Sequence, residues 1–189
     1  LAYQLGQQKI RPVREHYDAT EEFPWPVIEE MRRADLFGVY LPEAYGGLGG
    51  GTLELVLVAE QISRACGGIA LAVAASGLCG IPILLFGDKE QRERFLPDLA
   101  SGKRLGAFAI TEPNAGSDAT ATHCSATLDC DSYVLNGQKN FCSSGNAAEI
   151  YTVFATTNPK RGARGIGAFV VEKGTPGFTV GKKEKKMGL

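Results

Sequence analysis

Phe108-Ala109-Ile110-Thr111-Glu112-Pro113-Asn114-Ala115-Gly116-Ser117-Asp118 is where the chain changes character. An apolar, strand-like run stops at a threonine and a proline, then turns through small residues to Gly-Ser-Asp. Pro113 has no N–H to give a ladder and biases Glu112 toward extended geometry, so the strand ends there. Gly116 lets the backbone approach a bulky ligand closely. The hydroxyls of Thr111 and Ser117, with the loop N–H groups, suit an anionic or multi-acceptor ligand. By composition alone the segment reads as a strand followed by a solvated turn.

Working outward, apolar residues before Gly106 recur at helical spacing, and those after it fall into short β-rich runs. Leu1 to Tyr17 is helix-compatible. Pro24 and Pro26 bracket Trp25 at the mouth of a helix whose stripe is Val27, Ile28, Met31 and Leu36, ending at Gly38. Thr52 is expected to cap a well-buried helix through Leu55, Val56, Val58, Ala59 and Ile62. Ile69 to Phe86 follows, and Asp88 with Gln91 three residues on reads as a capping box for a helix burying Phe95, Leu96 and Leu99. Downstream, strands are expected at Leu105–Thr111, Ser125–Leu128, Tyr133–Leu135, Gln138–Cys142, Tyr151–Thr156, Gly165–Glu172 and Phe178–Val180. Asn136-Gly137 is the strongest hairpin signal. The expected fold is α+β: an N-terminal all-helical domain over residues 1–105, then an antiparallel β-barrel-like middle domain over 106–189.

Composition excludes several function classes. In 189 residues, 20 basic and 21 acidic side chains leave a net charge of −1, which gives no electrostatic case for nucleic acid. Lys182, Lys183, Lys185 and Lys186 read as a solvated strand end. The five cysteines show no paired spacing for zinc, His123 beside Cys124 reads as a strand residue, and no metal site is expected. Reduced thiols point to a cytosol-like compartment. Ser76, Gly77, Gly80 and Pro82 interrupt the Ile69–Phe86 run, which reads as a buried helix pair and not a membrane span. The chain opens on Leu1 and closes on Met187-Gly188-Leu189, and both ends read as cut.

Four ordered motifs carry a resemblance to the acyl-CoA dehydrogenase family. Leu41-Pro42-Glu43-Ala44-Tyr45-Gly46-Gly47 is similar to its P-x-x-Y-G-G loop, and Phe95-Leu96-Pro97-Asp98-Leu99-Ala100-Ser101-Gly102 to its F-L-P-x-L-x-x-G segment. Thr111-Glu112-Pro113 with Gly116-Ser117-Asp118 resembles the flavin signature. Tyr133-Val134-Leu135-Asn136-Gly137-Gln138-Lys139 resembles the Y-x-L-N-G-x-K hairpin. One departure is Phe141-Cys142-Ser143, which stands where the family has an aromatic-x-threonine pair. Ser143 keeps the hydroxyl and Phe141 the flat face, while Cys142 reads as a small buried hydrophobe.

The resemblance implies FAD as cofactor and α,β-dehydrogenation of an acyl-CoA, with hydride passing to the flavin and electrons on to an electron-transfer flavoprotein. It places Phe108, Ile110 and Thr111 along the isoalloxazine, with Phe141, Cys142 and Ser143 beside it. Gly116 and Ser117 face the pyrophosphate, and Ser117 also faces the acyl-CoA chain. It implies no catalytic residue here: the base belongs to a third, helical domain, and Glu112 is structural. A homotetramer of fatty acid metabolism, in the bacterial cytoplasm or mitochondrial matrix, is the implied setting. The rivals are a same-fold flavin oxidase or monooxygenase, and a non-catalytic acyl-CoA- or partner-binding module.

Overall fold

A computed structural model describes residues 1–186, and Met187-Gly188-Leu189 lie outside the described residues. The helices occupy the first part of the chain: α1 (Ala2–Leu5), α2 (Arg14–Thr20), α3 (Trp25–Arg33), α4 (Thr52–Ser63), α5 (Gly67–Phe86) and α6 (Lys89–Ala100). The capping box that opens α6 forms as its sequence predicts. Gln91 N–H donates to the Asp88 carboxylate at 2.8 Å, and the Gln91 side-chain oxygen accepts Asp88 N–H at 3.0 Å. Two amide groups at that helix start are thereby satisfied. Gly102 ends the unit at φ +66°.

Elsewhere local expectation and structure part. The Leu1–Tyr17 stretch is broken by a π turn at Gly6–Ile10, and α3 stops at Arg33, short of Gly38. Gly51, not Thr52, is the N-cap of α4; the Glu54 carboxylate reaches back to accept Gly51 N–H at 2.6 Å. That helix buries only Leu55 and Ile62, leaving Leu53, Val56 and Leu57 exposed. The Ile69–Phe86 run is one continuous helix and not a pair, because α5 accommodates Pro82 in its last turns. Among the described residues it is the one helix long and apolar enough to cross a membrane by length and composition, and 56% of its best window is buried. It lies at the centre of the protein, against α4, α6 and the sheet.

Five strands follow: β1 (Gly106–Ala109), β2 (Ser125–Asp129), β3 (Ser132–Asn136), β4 (Ile150–Thr156) and β5 (Ile166–Glu172). The α+β arrangement holds, but the sheet is open and mixed, not a closed antiparallel barrel. β4 is central, parallel to β1 along one side and antiparallel to β5 along the other; a single parallel bridge, Ser125↔Thr156, joins it to the β2–β3 hairpin. The parallel β1–β4 pair requires a long crossover. Residues 110–149 supply it and contain the hairpin.

That hairpin turns at Cys130-Asp131, where Cys130 has φ +53°, and not at Asn136-Gly137. Gly137 serves a close approach: a Cβ there would lie 2.7 Å from the Cys124 Cα. The segments Gln138–Cys142 and Phe178–Val180 form no strand. The first is drawn onto the β1 loop instead, and the Phe178 ring packs on Tyr151 at 4.6 Å between centroids.

The helical layer and the sheet are stapled together. The buried Ser76 hydroxyl accepts Gly106 N–H at 3.0 Å. A side chain at Gly106 would meet Cys79 Cβ at 2.6 Å, so glycine sets how closely β1 approaches α5. At the rim, Arg104 binds Asp98 and Glu172 at 2.7 Å each, and Arg94 also donates to Glu172.

Candidate functional site

The loop after β1 is shaped by its own backbone before any ligand is considered. Glu112 N–H donates to Ala115 O at 2.9 Å and Ala115 N–H to Glu112 O at 3.2 Å, closing a turn with Pro113 at its second position. Asp118 then caps a short 3₁₀ turn, Ala119–Ala121, by accepting Thr120 N–H at 3.1 Å. Between these closures Gly116 and Ser117 stand exposed. The N–H groups of Thr111, Gly116 and Ser117 donate to no protein acceptor among the described residues. Open space surrounds the position of a Cβ at Gly116.

A buried carboxylate holds this loop to the rest of the sheet. Glu112 is 7% exposed and accepts hydrogen bonds from Lys139 Nζ at 2.6 Å, His123 N–H at 2.7 Å, Cys124 N–H at 3.0 Å and the Thr122 hydroxyl. Burial by itself raises its pKa. The Lys139 ammonium, the Thr122 hydroxyl and the two backbone amides outweigh it and hold the carboxyl down to about 2. Its oxygens are committed inward and its side chain is sealed. A general base works best with a pKa near the operating pH and with reach to a substrate, and the committed, strongly acidic Glu112 carboxyl offers neither.

Lys139 spends its three donors on this corner: Glu112, Ile110 O at 3.0 Å and Thr122 Oγ1 at 3.1 Å. The next residue, Asn140, donates N–H to Thr111 O at 2.7 Å. Cys142 Sγ lies 3.5 Å from Phe108 O. Three successive contacts therefore lay Phe141-Cys142-Ser143 alongside Phe108–Thr111, about thirty residues earlier in the chain. Residue spacing did not show this pairing, although the family resemblance implied both segments beside one flavin. The Lys139 of the hairpin motif was its only local trace, because a buried ammonium must find a carboxylate.

Phe141, 61% exposed, and Ser144 both take left-handed backbone, at φ +53° and +60°. Such conformations are uncommon in residues with side chains and concentrate at functional sites. Tyr151 Oη lies 2.8 Å from both Gly145 O and Ala148 O, fixing the loop just past Ser143. Cys142 is half-buried; burial pushes its thiol up to about 11, so it stays protonated at neutral pH and packs as a small apolar group.

Phe141, Cys142 and Ser143, with Ala109, line a cleft of about 2360 Å³ between the helices and the sheet. It exceeds the roughly 300–1,000 Å³ of small-ligand pockets, and suits a long ligand or a further layer of protein. Phe108, Ile110, Thr111, Gly116 and Ser117 do not line it. The Phe108 ring turns onto Phe154 at 5.0 Å. Ile110 and Thr111 meet the cleft wall through Lys139 and Asn140, and Gly116 and Ser117 stand exposed farther along the loop. No group of three or more His, Cys, Asp or Glu among the described residues is placed to hold a metal ion.

Two family models match. The acyl-CoA dehydrogenase N-terminal domain covers residues 2–103, and the acyl-CoA dehydrogenase middle domain covers residues 107–189. An acyl-CoA dehydrogenase of Bacillus subtilis is 45% identical over 186 residues, which is 98% of this chain and 49% of that protein. The butyryl-CoA dehydrogenase structure from Megasphaera elsdenii superimposes with a TM-score of 0.91 at 43% identity, covering 98% of this chain and 50% of that one. A chain in a structure described as the electron transferring flavoprotein of Acidaminococcus fermentans gives 0.93 at 39% identity, covering 98% and 49%. The chain thus spans about half the length of the relatives it matches.

Proposed function

We propose, from the premise that this chain belongs to the acyl-CoA dehydrogenase family, that its full-length protein binds FAD and dehydrogenates an acyl-CoA thioester. The observation that carries the reading is the meeting of two distant segments, Phe108–Thr111 and Phe141–Ser143, at a border with unspent donors. The residues fit the cofactor. The free N–H groups of Thr111, Gly116 and Ser117 suit its acceptor-rich pyrimidine edge and its pyrophosphate. The space beside Gly116 admits it, and Phe141 offers an exposed flat face.

FAD, when bound, supplies the acceptor for the β-hydrogen as hydride. The chain's own residues bind and orient. Thr111 would donate to the flavin edge through N–H and hydroxyl, with Ile110 beside it, and Ser143 would offer its hydroxyl. Gly116 and Ser117 would hold the pyrophosphate, and Ser117 would also meet the acyl-CoA chain. Phe108 supports the strand beneath, while Phe141 and Cys142 exclude water. The base that takes the α-proton is, as the family resemblance implies, expected outside these residues, and Glu112, sealed in its own network, does not supply it. The protein works as a homo-oligomer in the bacterial cytoplasm or mitochondrial matrix and passes electrons to an electron-transfer flavoprotein.

The test is FAD reconstitution of the full-length protein, then anaerobic mixing with butyryl-, octanoyl- and palmitoyl-CoA and an air pulse. Bleaching of the flavin band by one of these substrates, with slow reoxidation by air, is the expected result. A colourless protein, or a flavin that no acyl-CoA bleaches, sinks the reading. Fast reoxidation by air favours the oxidase instead.

A further inference from the structure

Lys139 commits all three of its donors to protein acceptors, and only part of that commitment serves the ion pair. Its side chain is 9% exposed, and one of its three donors goes to a main-chain oxygen, Ile110 O, at 3.0 Å. The Ile110 carbonyl belongs to the same peptide unit as Thr111 N–H. Hydrogen bonds in chains polarise one another, by perhaps 10–30% per bond. A cation on the oxygen of a peptide draws electrons from its nitrogen and strengthens the N–H as a donor. Thr111 N–H is one of the amides with no protein acceptor among the described residues.

We propose that Lys139 is a positioning and tuning residue for the flavin, acting through the Ile110–Thr111 peptide. It holds that peptide in place and sharpens the Thr111 donor, which stabilises the negative charge that gathers on the flavin edge when two electrons and one proton arrive. The inference rests on the proposed binding of FAD at Thr111. Lys139 borders the cleft, but its three donors are spent on Glu112, Ile110 O and Thr122, so its contribution is expected as a reduction potential and not as a direct hydrogen bond to a ligand. Glu112 has the opposite role in this pair. Its negative charge compensates the ammonium electrostatically, while its hydrogen bonds to Thr122, His123 and Cys124 secure the loop.

The experiment is dye-linked redox titration of the full-length flavoprotein and its variants, alongside FAD affinity and thermal unfolding. Lys139→Met/Glu112→Gln removes both charges without leaving a buried ion alone. In that variant the reduced-to-oxidised flavin ratio at a fixed dye potential is expected to fall about tenfold, or about 30 mV for a two-electron couple. Glu112→Gln alone keeps the ammonium on Ile110 O, so its ratio is expected to stay level or rise. Lys139→Arg retains a cation and donors and is expected to restore most of the loss. A second readout needs no flavin: in the apoprotein, the Thr111 amide proton resonance is expected to move upfield in the double variant.

A double variant that binds FAD with the wild-type potential and an unmoved Thr111 resonance overturns the inference and leaves the FAD reading standing. Equal losses in Glu112→Gln and the double variant also overturn it, because the pair would then act only as a brace. A wild-type full-length protein that binds no FAD overturns both readings together.

Discussion

No charged side chain occurs between Gly67 and Phe86, and the inward positions of that helix include Ile69, Ala72, Val73, Ser76, Cys79 and Ile83. At the corner of the sheet, an ammonium, a hydroxyl and two backbone amides converge on the single carboxylate of Glu112. Apart from the Ser76 hydroxyl that accepts Gly106 N–H, the first region is held by apolar area and close fit, which are non-directional and graded. The second is held by hydrogen bonds with required angles, where one missing partner leaves a buried charge unsatisfied. The helical layer therefore sets how stable the protein is, and the corner sets where Thr111 and Ser143 stand.

The sharpest way to break that division is Lys139→Ala. It leaves Glu112 charged, buried and unpaired, at a cost of about 3–5 kcal/mol, and it frees residues 139–142 from β1. Urea unfolding and FAD titration are expected to show losses in both stability and cofactor affinity. Intact FAD affinity would show that the corner does not position the site. Leu96→Ala is the matching cut in the helical layer, at a fully buried position. It is expected to cost about 2–5 kcal/mol, with FAD affinity unchanged in the protein that remains folded. If affinity falls with it, the two regions are not separable.

Acid probes the corner more gently. The Glu112 carboxyl titrates at about 2 in the folded protein against an ordinary 4.5. Its contribution to stability is thus fully present above pH 4.5 and is lost as pH falls from 4.5 toward 2. Unfolding free energy is expected to decline across that window, and Glu112→Gln is expected to flatten this part of the profile. An equally steep decline in the variant would assign it to other carboxylates. The smallest effect is expected at the start of α6, where Asp88→Ala removes one half of the capping box. About 1 kcal/mol of stability is expected to go, with no change in FAD affinity, and helix content by circular dichroism with urea unfolding will measure it.

The residues that were legible in the sequence are those whose partners lie within a turn or two. Asp88 and Gln91 form their box because both groups belong to the same helix start. Pro113, lacking an N–H, predicts a strand end after Thr111, but β1 already stops at Ala109 and Pro113 sits in the Glu112–Ala115 turn beyond it. Asn136-Gly137 misled because a dipeptide states which backbone angles are easy, not which strand lies opposite. The turn fell at Cys130-Asp131, a pair with weaker intrinsic preference, once β2 and β3 had found their register. The wide apolar run in α4 misled similarly: its residues promise burial, but only Leu55 and Ile62 are buried, Val58 is half-buried, and Val56 and Leu57 stay exposed.

What the sequence by itself determined is the change of period near Gly106 and the capping box that opens α6, both products of local covalent geometry and spacing. The family resemblance was legible too, because four motifs keep their order along the chain. Only the tertiary structure decided that β4 is the central strand with β1 parallel beside it. It also decided that Lys139 and Asn140 leave their expected strand for the carbonyls of Ile110 and Thr111. Its physical cause is the burial of Glu112. A carboxylate removed from water must gather its donors from wherever the chain can bring them, and here they come from Thr122 to Lys139, well beyond the reach of any local signal.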